Sequence, residues 1–352
     1  MYRTISTFLF LTVVSGTVIV ITSENWFIIW VGLELSTLAL VPVLCSNFSP
    51  RNVEATIKYF LVQALSAALL LNSALIQAWL TGSWSILDPV NNVTALCLSV
   101  ALAFKLGLAP CHFWFPDVLQ GLPFIQGLIV ATWQKIAPLI LLFSFSQLIF
   151  SYLLVTAGLI SILVGGWGGL NQTQVRKILA FSSIGNMGWI VITSVYSVNA
   201  AIVMLIIYLI INTTIFLLFD YLSVPTLGHL NITSQLSPIS VALIILIILS
   251  LGGLPPLTGF ILKFTSLYFL VSNNFILLSS AMIVGSLLSL FFYLRISFNT
   301  SLILFPQHII TMTTWRNNVD TSPLSIKTWA ISILSILSAF AIPLTLPLYI
   351  TT

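Results

Sequence analysis

The sequence predicts an all-α membrane protein with about eleven transmembrane helices, and its composition, apolar runs and charge distribution each support that fold class. Of its 352 residues, 59% are hydrophobic and only 5% are charged, and the mean hydropathy is +1.14. Soluble domains contain roughly 25% charged residues, so a soluble fold could not cover its surface with this composition. We therefore expect lipid to surround most of the chain.

Apolar runs separated by polar or Pro/Gly segments give the predicted spans, because about 20 residues cross a bilayer as a helix. The predicted limits are 4–21, 26–45, 53–79, 93–115, 122–143, 148–169, 174–195, 199–221, 239–271, 276–297 and 325–349. The sizeable loops cover 81–92, 222–238 and 298–324. They are too small for a domain outside the membrane.

Redox and metal chemistry are not predicted for this chain. Its three cysteines and three histidines form no CxxC or CxxCH motif, and haem or iron–sulfur centres need such ligand sets. The cysteines lie in or beside apolar runs, where a free cysteine behaves as a small hydrophobic residue. We expect no cofactor in this chain and no nucleic-acid partner.

The basic residues at helix ends all fall on one side of the predicted membrane. Eight of the eleven Lys and Arg residues belong to this set: Arg3, Arg51, Lys58, Arg176, Lys177, Arg295, Arg316 and Lys327. The opposite side has only Glu24 and Asp88 near its loops. By the positive-inside rule, the N-terminus lies in the matrix or cytoplasm and the C-terminus on the other face.

Four charged residues remain inside the spans, namely Glu34, Lys105, Lys135 and Lys263. Each ionised group at mid-bilayer costs about 2.5–3.5 kcal/mol on insertion scales, and none has an opposite charge one turn away on its own helix. Static ion pairs between helices are one explanation, but three lysines cannot all pair with one glutamate. We favour a second explanation, in which the lysines lose and regain their charge and so act as proton carriers.

Two predicted spans contain Gly/Pro interruptions at matching places. The fourth is interrupted or ended within 105–116, which includes Pro110, and the ninth within 251–256, which includes Pro255 and Pro256. Proline kinks a helix and frees carbonyl groups, and paired broken helices are typical of inverted-repeat transporters.

Gly107 to Pro110 aligns with Gly253 to Pro256 at an offset of 146 residues. Spans 1–5 are therefore predicted to recur, inverted, as spans 6–10, with broken helices 4 and 9. This gives a first five-helix repeat over 1–147, a second over 148–298, and a loop and final helix over 299–352.

Five stretches of the sequence carry a family resemblance, namely 30–35 (WVGLEL), 105–121 (KLGLAPCHFWFPDVLQG), 133–138 (WQKIAP), 175–184 (VRKILAFSSI) and 254–263 (LPPLTGFILK). Together they resemble the antiporter-like membrane subunits of respiratory complex I. The resemblance covers nearly the whole chain. Full-length members have fourteen spans, and the chain is similar to the shortened animal form that lacks the first three.

The resemblance implies a proton pump driven by NADH oxidation and ubiquinone reduction in other subunits, which supply the flavin, the iron–sulfur clusters and the quinone site. It implies that Glu34 is the coupling glutamate, Lys105 its partner, Lys135 the central lysine and Lys263 the lysine on the proton-release side. It also implies other membrane-arm subunits as partners and the mitochondrial inner membrane as location, with the N-terminus in the matrix and the C-terminus in the intermembrane space.

Supporting roles are expected for His112, Pro110, Pro255, Pro256, Ser182 and Ser183. His112 either donates to the proton path or makes a structural hydrogen bond at the first break. Where the family usually has Ala-His, this chain has Gly185-Asn186. Asparagine cannot titrate, so a relay at that point must use water, Ser182 or Ser183.

Two other functions remain open at this stage. The first is a subunit of a multi-subunit cation/proton antiporter, which sodium dependence of the purified assembly would favour. The second is a spacer of the membrane arm that does not pump, for which neutralising the mid-span charges would leave pumping intact.

Overall fold

The computed structural model describes residues 3–46, 48–86, 88, 91–145, 151–230, 238–301 and 326–340. These ranges are helical and contain no β-strand, only two isolated β-bridges, Asn25 with Ser85 and Gln174 with Thr226. The predicted all-α class is therefore confirmed for the described part of the chain.

The helices alternate with short turns along the chain. They are α1 (Arg3–Thr22), α2 (Trp26–Leu44), α3 (Pro50–Thr81), α4 (Asn92–Leu106), α5 (Trp114–Gly121), α6 (Phe124–Ala131), α7 (Trp133–Phe145), α8 (Ser151–Gly169), α9 (Val175–Tyr196), α10 (Val198–Leu222), α11 (Pro238–Gly252), α12 (Thr258–Ser272), α13 (Ile276–Ser301) and α14 (Ile326–Phe340).

Eight segments of the described chain are long and apolar enough to cross a membrane. The predicted spans 93–115, 239–271 and 325–349 are not among them. The first two are divided into shorter helices, and the third is described only as far as residue 340. The chain thus has several membrane-spanning helices, and the total of eleven stays a prediction.

Both predicted helix breaks are present and share one backbone design. Gly107 after α4 and Gly253 after α11 have positive φ angles of 68° and 75°. The next residue in each case donates its amide to the carbonyl five residues back, Leu108 to Ala103 at 3.0 Å and Leu254 to Leu249 at 3.4 Å. This is the Schellman termination, which needs a left-handed residue and therefore favours glycine. The ninth span is not a continuous helix, as predicted.

The fourth and fifth spans differ from the sequence prediction. The fourth helix ends at Leu106 and not at residue 115, because the Schellman turn stops it before Pro110. The fifth span, predicted as continuous over 122–143, is interrupted at Thr132, between α6 and α7. There the Lys135 amide donates to the Thr132 carbonyl, three residues back, at 3.2 Å.

Helix α9 lies at the centre of the bundle. It packs against α5 and α6 on one side and against α12 and α13 on another, as well as against its chain neighbours α8 and α10. Of its most apolar 18 residues, 78% are buried. Because α9 carries Ser182 and Ser183, it places both hydroxyls between the two halves of the chain.

Several of the predicted basic anchors lie at one end of the bundle. The Arg176 guanidinium, at the start of α9, donates to the Leu122 carbonyl after α5. Arg295, near the end of α13, donates to the Leu170 carbonyl after α8 at 2.6 Å. These contacts agree with a one-sided basic distribution. The predictions that concern Thr352, Arg316 and most of the 298–324 loop, and the side chains of Arg3 and Lys327, lie outside the described residues.

Candidate functional site

Lys135 lies in the first turn of α7 and is 2% exposed. Its Nζ donates a 3.2 Å hydrogen bond to the Tyr208 hydroxyl on α10. The ammonium also lies 4.4 Å from the centre of the Phe115 ring and 5.5 Å from that of the Tyr208 ring, and such contacts stabilise a cation. In the described chain no carboxylate lies within 4.0 Å of it. Neutral groups hold this lysine, so no counter-ion fixes its charge.

The interruption at Thr132 creates the hydrogen-bonding position that Tyr208 uses. In a regular helix the Lys135 amide would bond to the carbonyl of Ala131, four residues back. It bonds to Thr132 instead, and the Ala131 carbonyl accepts the Tyr208 hydroxyl at 3.0 Å. Lys135 and the Ala131 carbonyl are therefore both hydrogen-bonded to the Tyr208 hydroxyl.

Lys105 is in the last turn of α4, immediately before the first break, and is 4% exposed. This position places its charge at the negative end of the helix dipole. The ammonium interacts electrostatically with Glu34 on α2, yet no ion pair shorter than 4.0 Å joins the two in the described structure. That they act as partners in proton transfer stays a prediction.

Four buried polar atoms in this region have no hydrogen-bond partner among the described protein groups. They are Glu34 Oε2, Tyr59 Oη, Lys105 Nζ and Trp114 Nε1. Glu34 also interacts electrostatically with Tyr59, and the Tyr59 and Trp114 rings lie 6.1 Å apart. Buried polar groups of this kind bind ordered water. The geometry suits a hydrated link between the glutamate and the lysine.

Lys263 lies in the second turn of α12 and folds back onto the second break. Its Nζ donates a 2.6 Å hydrogen bond to the Gly252 carbonyl at the end of α11. A Cβ added to Gly253 would lie 2.9 Å from Lys263 Cδ, so the side chain runs directly over the glycine. Lys263 thus contacts the carbonyl end of the preceding half-helix, and Lys105 lies in the last turn of its own half-helix, both at an end where a cation is favoured.

A small cavity separates Tyr208 from Lys263. The volume of this cavity is about 10 Å³, which is the smallest volume that holds one water molecule. Its wall consists of Asn186, Trp189, Ile190, Met204, Tyr208, Leu251, Gly259, Leu262 and Lys263. Tyr208, which binds Lys135, and Lys263 therefore line one water-sized cavity.

The serines on α9 lie beside two buried tyrosines. Ser183 interacts with the Tyr208 hydroxyl, and Ser182 and Asn186 interact with the Tyr293 hydroxyl, in each case without a direct hydrogen bond among the described contacts. Sequence reasoning identified the serines and the departure at Asn186 but missed both tyrosines. The available signal was a tyrosine in the middle of the apolar helix α10, since tyrosines of membrane helices concentrate at the interfaces.

Among the described hydrogen bonds and ring contacts, His112 has none with Lys105, Lys135 or Lys263. Its Nδ1 lies 3.2 Å from the Pro110 carbonyl, and its ring centre is 4.2 Å from that of Phe113. It lines a separate, mostly apolar cavity that includes Trp167 and Phe181. Of the two roles expected for His112, the contacts fit the structural one at the break.

Comparisons with known proteins agree with this architecture. Residues 23–289 match the family described as NADH:quinone oxidoreductase/Mrp antiporter, transmembrane, and residues 290–349 match NADH dehydrogenase subunit 2, C-terminus. The chain belongs to the NADH:quinone oxidoreductase/Mrp antiporter family. It is 78% identical, over all 352 residues and the full length of both chains, to NADH-ubiquinone oxidoreductase chain 2 of Strongylocentrotus purpuratus. It is 45% identical over 331 residues to the Xenopus laevis protein of that name, with 94% of each chain covered.

Solved structures of other proteins have a similar fold. A chain of respiratory complex I from Thermus thermophilus, determined with bound aureothin, matches with a TM-score of 0.82 and 26% identity, covering 99% of this chain and 80% of that one. A chain of the Mrp complex from a Dietzia species matches with a TM-score of 0.81 at 18% identity, covering 97% and 75%. This second likeness concerns the fold alone.

Proposed function

We propose that the chain is a proton-translocating membrane-arm subunit of NADH:ubiquinone oxidoreductase in the mitochondrial inner membrane. The observation that carries this proposal is the buried Lys135, held by neutral groups and linked by Tyr208 to a cavity that also contains Lys263. Membrane helices bury charged residues at a cost of several kcal/mol, and a functional role explains their presence. The flavin, the iron–sulfur clusters and the quinone belong to other subunits of the complex.

In this mechanism Glu34 controls the charge state of the lysines. An ionised Glu34 near Lys105 keeps Lys105 protonated, and Lys135 then takes up a proton from the matrix side. When a change in a neighbouring subunit weakens the Glu34–Lys105 interaction, the Lys105 charge repels the proton on Lys135 towards Lys263. Moving one charge against the membrane potential costs about 2.3 kcal/mol per 100 mV, an amount that charge interactions at low dielectric can supply.

We further propose that the chain consists of two inverted five-helix repeats, 1–147 and 148–298, followed by a final segment. The two isolated β-bridges support this. Trp26 donates its amide to the Trp84 carbonyl at 3.0 Å, and Val175 donates to the Pro225 carbonyl at 3.2 Å. Each bridge joins the residue that opens one helix to the loop before a broken helix. Val175 follows Trp26 by 149 positions, and Pro225 follows Trp84 by 141 positions. Both separations are close to the 146 residues between the two helix breaks.

The basic cluster at one end of the bundle supports an orientation with that end in the matrix. The N-terminus would then lie in the matrix and the C-terminus in the intermembrane space. Other membrane-arm subunits and lipid would cover the many exposed apolar side chains of the outer helices.

The test of the proposed function is Lys135→Met in the assembled complex, reconstituted into vesicles. We expect proton uptake per NADH oxidised to fall, because the central carrier is lost while the apolar stem is kept. Lys177→Met is the matched control, since this lysine lies at the basic end of α9 and outside the proposed path. Unchanged proton uptake in Lys135→Met would support the spacer function instead.

A further inference from the structure

Tyr208 contacts the central lysine and also lines the cavity of the second break. It is fully buried. Its hydroxyl accepts the hydrogen bond from Lys135 and donates its single proton to the Ala131 carbonyl. Tyr208 and Lys263 also line the same cavity. In this arrangement the hydroxyl proton points at a backbone carbonyl, which cannot pass it on.

We propose that the Tyr208 hydroxyl is a two-position proton relay between Lys135 and Lys263. This inference rests on the proposed function, because it assigns the step between two proton carriers. In the closed position the hydroxyl proton is bonded to Ala131. In the open position the hydroxyl turns about its C–O bond, so that its proton leaves Ala131 for the side of Ser183 and the cavity.

Ser183 is suited to accept the hydrogen bond of the Tyr208 hydroxyl in the open position. Its own hydroxyl donates to the Ala180 carbonyl of α9 at 2.7 Å, so its oxygen lone pairs remain available as acceptors. Its side chain interacts with the Tyr208 hydroxyl, without a direct hydrogen bond among the described contacts. A buried hydroxyl that leaves one acceptor loses little free energy when it bonds to another.

The transfer step balances with one water in the cavity. The Lys135 N–H bond breaks as an O–H bond forms on Tyr208, and the original Tyr208 O–H bond breaks as the proton passes to the water. The water gives up a proton to a neutral Lys263 amine. The positive charge moves from Lys135 to Lys263, and neither Tyr208 nor the water is changed by the step. A non-titrating Asn186 on the same wall is compatible with this path, because the tyrosine and water carry the proton.

Tyr208 could alternatively act as a tether that fastens α10 to the interruption at Thr132. A tether and a relay differ in what they do to proton transfer. Loss of a tether lowers the amount or stability of the complex. Loss of a relay slows the proton step itself, so that the ratio of rates in H₂O and D₂O rises.

The decisive experiment compares Tyr208→Phe with Tyr196→Phe in the assembled complex. Tyr196 ends α9 with its ring against Phe275, so this control removes a hydroxyl away from the lysines. We expect proton uptake per NADH in Tyr208→Phe to fall to the value of Lys135→Met, with a raised H₂O/D₂O rate ratio, and to stay at the wild-type value in Tyr196→Phe.

A second pair keeps the test decisive if Tyr208→Phe fails to assemble. Ser183→Ala removes the acceptor of the open position, and Ser194→Ala removes a buried hydroxyl of the same helix that donates only to Val191, at 2.7 Å. We expect Ser183→Ala alone to lower proton uptake, to an intermediate value. Wild-type uptake and isotope ratio in Tyr208→Phe, or in Ser183→Ala if the tyrosine variant is absent, would overturn the relay. If Lys135→Met still loses pumping in that case, the proposed function stands and only the Tyr208 relay is wrong.

Discussion

The two helix breaks share one backbone design but hold their lysines differently. At each, a half-helix ends in a Schellman turn through a left-handed glycine. Lys105 precedes its break, on the half-helix itself, and has no protein hydrogen-bond partner among the described groups. Lys263 follows its break and bonds directly to the carbonyl end of the preceding half-helix.

In the proposed mechanism, this difference would give the two breaks different roles in proton transfer. Lys105 has no direct hydrogen bond among the described groups, so its charge would respond to Glu34. Lys263 is positioned by its bond to the Gly252 carbonyl, so it would offer a fixed acceptor beside the cavity. The first break would then sense a change in charge, and the second would receive a proton.

The largest effect is expected from Gly259→Ala, which would separate the half-helices of the second break. A Cβ at Gly259 would overlap the carbonyl oxygen of Ser250 on α11. A backbone oxygen cannot move aside, so we expect a loss of about 3 kcal/mol or more, at the upper end of the range for overpacking. The amount of assembled complex and its thermal stability measure the effect.

Gly185→Ala is the control for that variant, because a Cβ there meets nothing within 4 Å. It should assemble normally. Assembly of Gly259→Ala at wild-type stability would mean that α11 and α12 are not packed as closely as the structure has them, and the fixed position of Lys263 would be in doubt.

The breaks could be predicted from the sequence because their residues act locally. Gly107 and Gly253 are followed within three residues by prolines, and a left-handed turn before a proline ends a helix whatever surrounds it. The buried charges were predictable for a similar reason, because ionised groups in apolar runs are costly wherever they lie. The inverted pairing of the two halves remains an inference from those positions and from the matching β-bridges.

The Lys135–Tyr208 contact was not predictable from one sequence. The two residues are 73 positions apart, and no periodicity within either helix brings them together. The interruption at Thr132 was also missed, because no glycine or proline occupies that position. Its consequence, a carbonyl released to bind a tyrosine, depends on tertiary packing. The same holds for Glu34 and Lys105, whose proximity depends on how α2 packs near α4.

Glu34→Gln at the first break is expected to change proton pumping and to affect stability less than Gly259→Ala does. The amide keeps the shape of the side chain and removes its titratable charge, and it is cheaper to bury than a carboxylate. We therefore expect normal assembly and reduced proton uptake per NADH, as in Lys135→Met. Glu24→Gln, in an exposed turn before α2, is the control. Near-normal proton-to-electron ratios in both Glu34→Gln and Lys135→Met would defeat the electrostatic mechanism.

The smallest effect is expected from replacing each of the two left-handed glycines, Gly107 and Gly253, with alanine. This pair of variants tests most directly whether the two breaks differ in function. Either change places a Cβ at a positive φ, which costs about 1–2 kcal/mol. At Gly107 the new Cβ meets Phe115 Cβ at an ordinary 3.5 Å, whereas at Gly253 it meets Lys263 Cδ at 2.9 Å and Nζ at 3.2 Å. The lysine side chain is flexible and can move, so the two variants should lose similar stability.

Their effects on pumping should differ, because only Gly253→Ala displaces an ammonium. As Lys263 moves away, its bond to the Gly252 carbonyl weakens and its distance from the cavity changes. We expect Gly253→Ala to lower proton uptake per NADH and Gly107→Ala to leave it unchanged at a similar thermal stability of the complex. If both variants pump equally well, the position of Lys263 over the second break has no part in proton transfer, and the two breaks are equivalent in function.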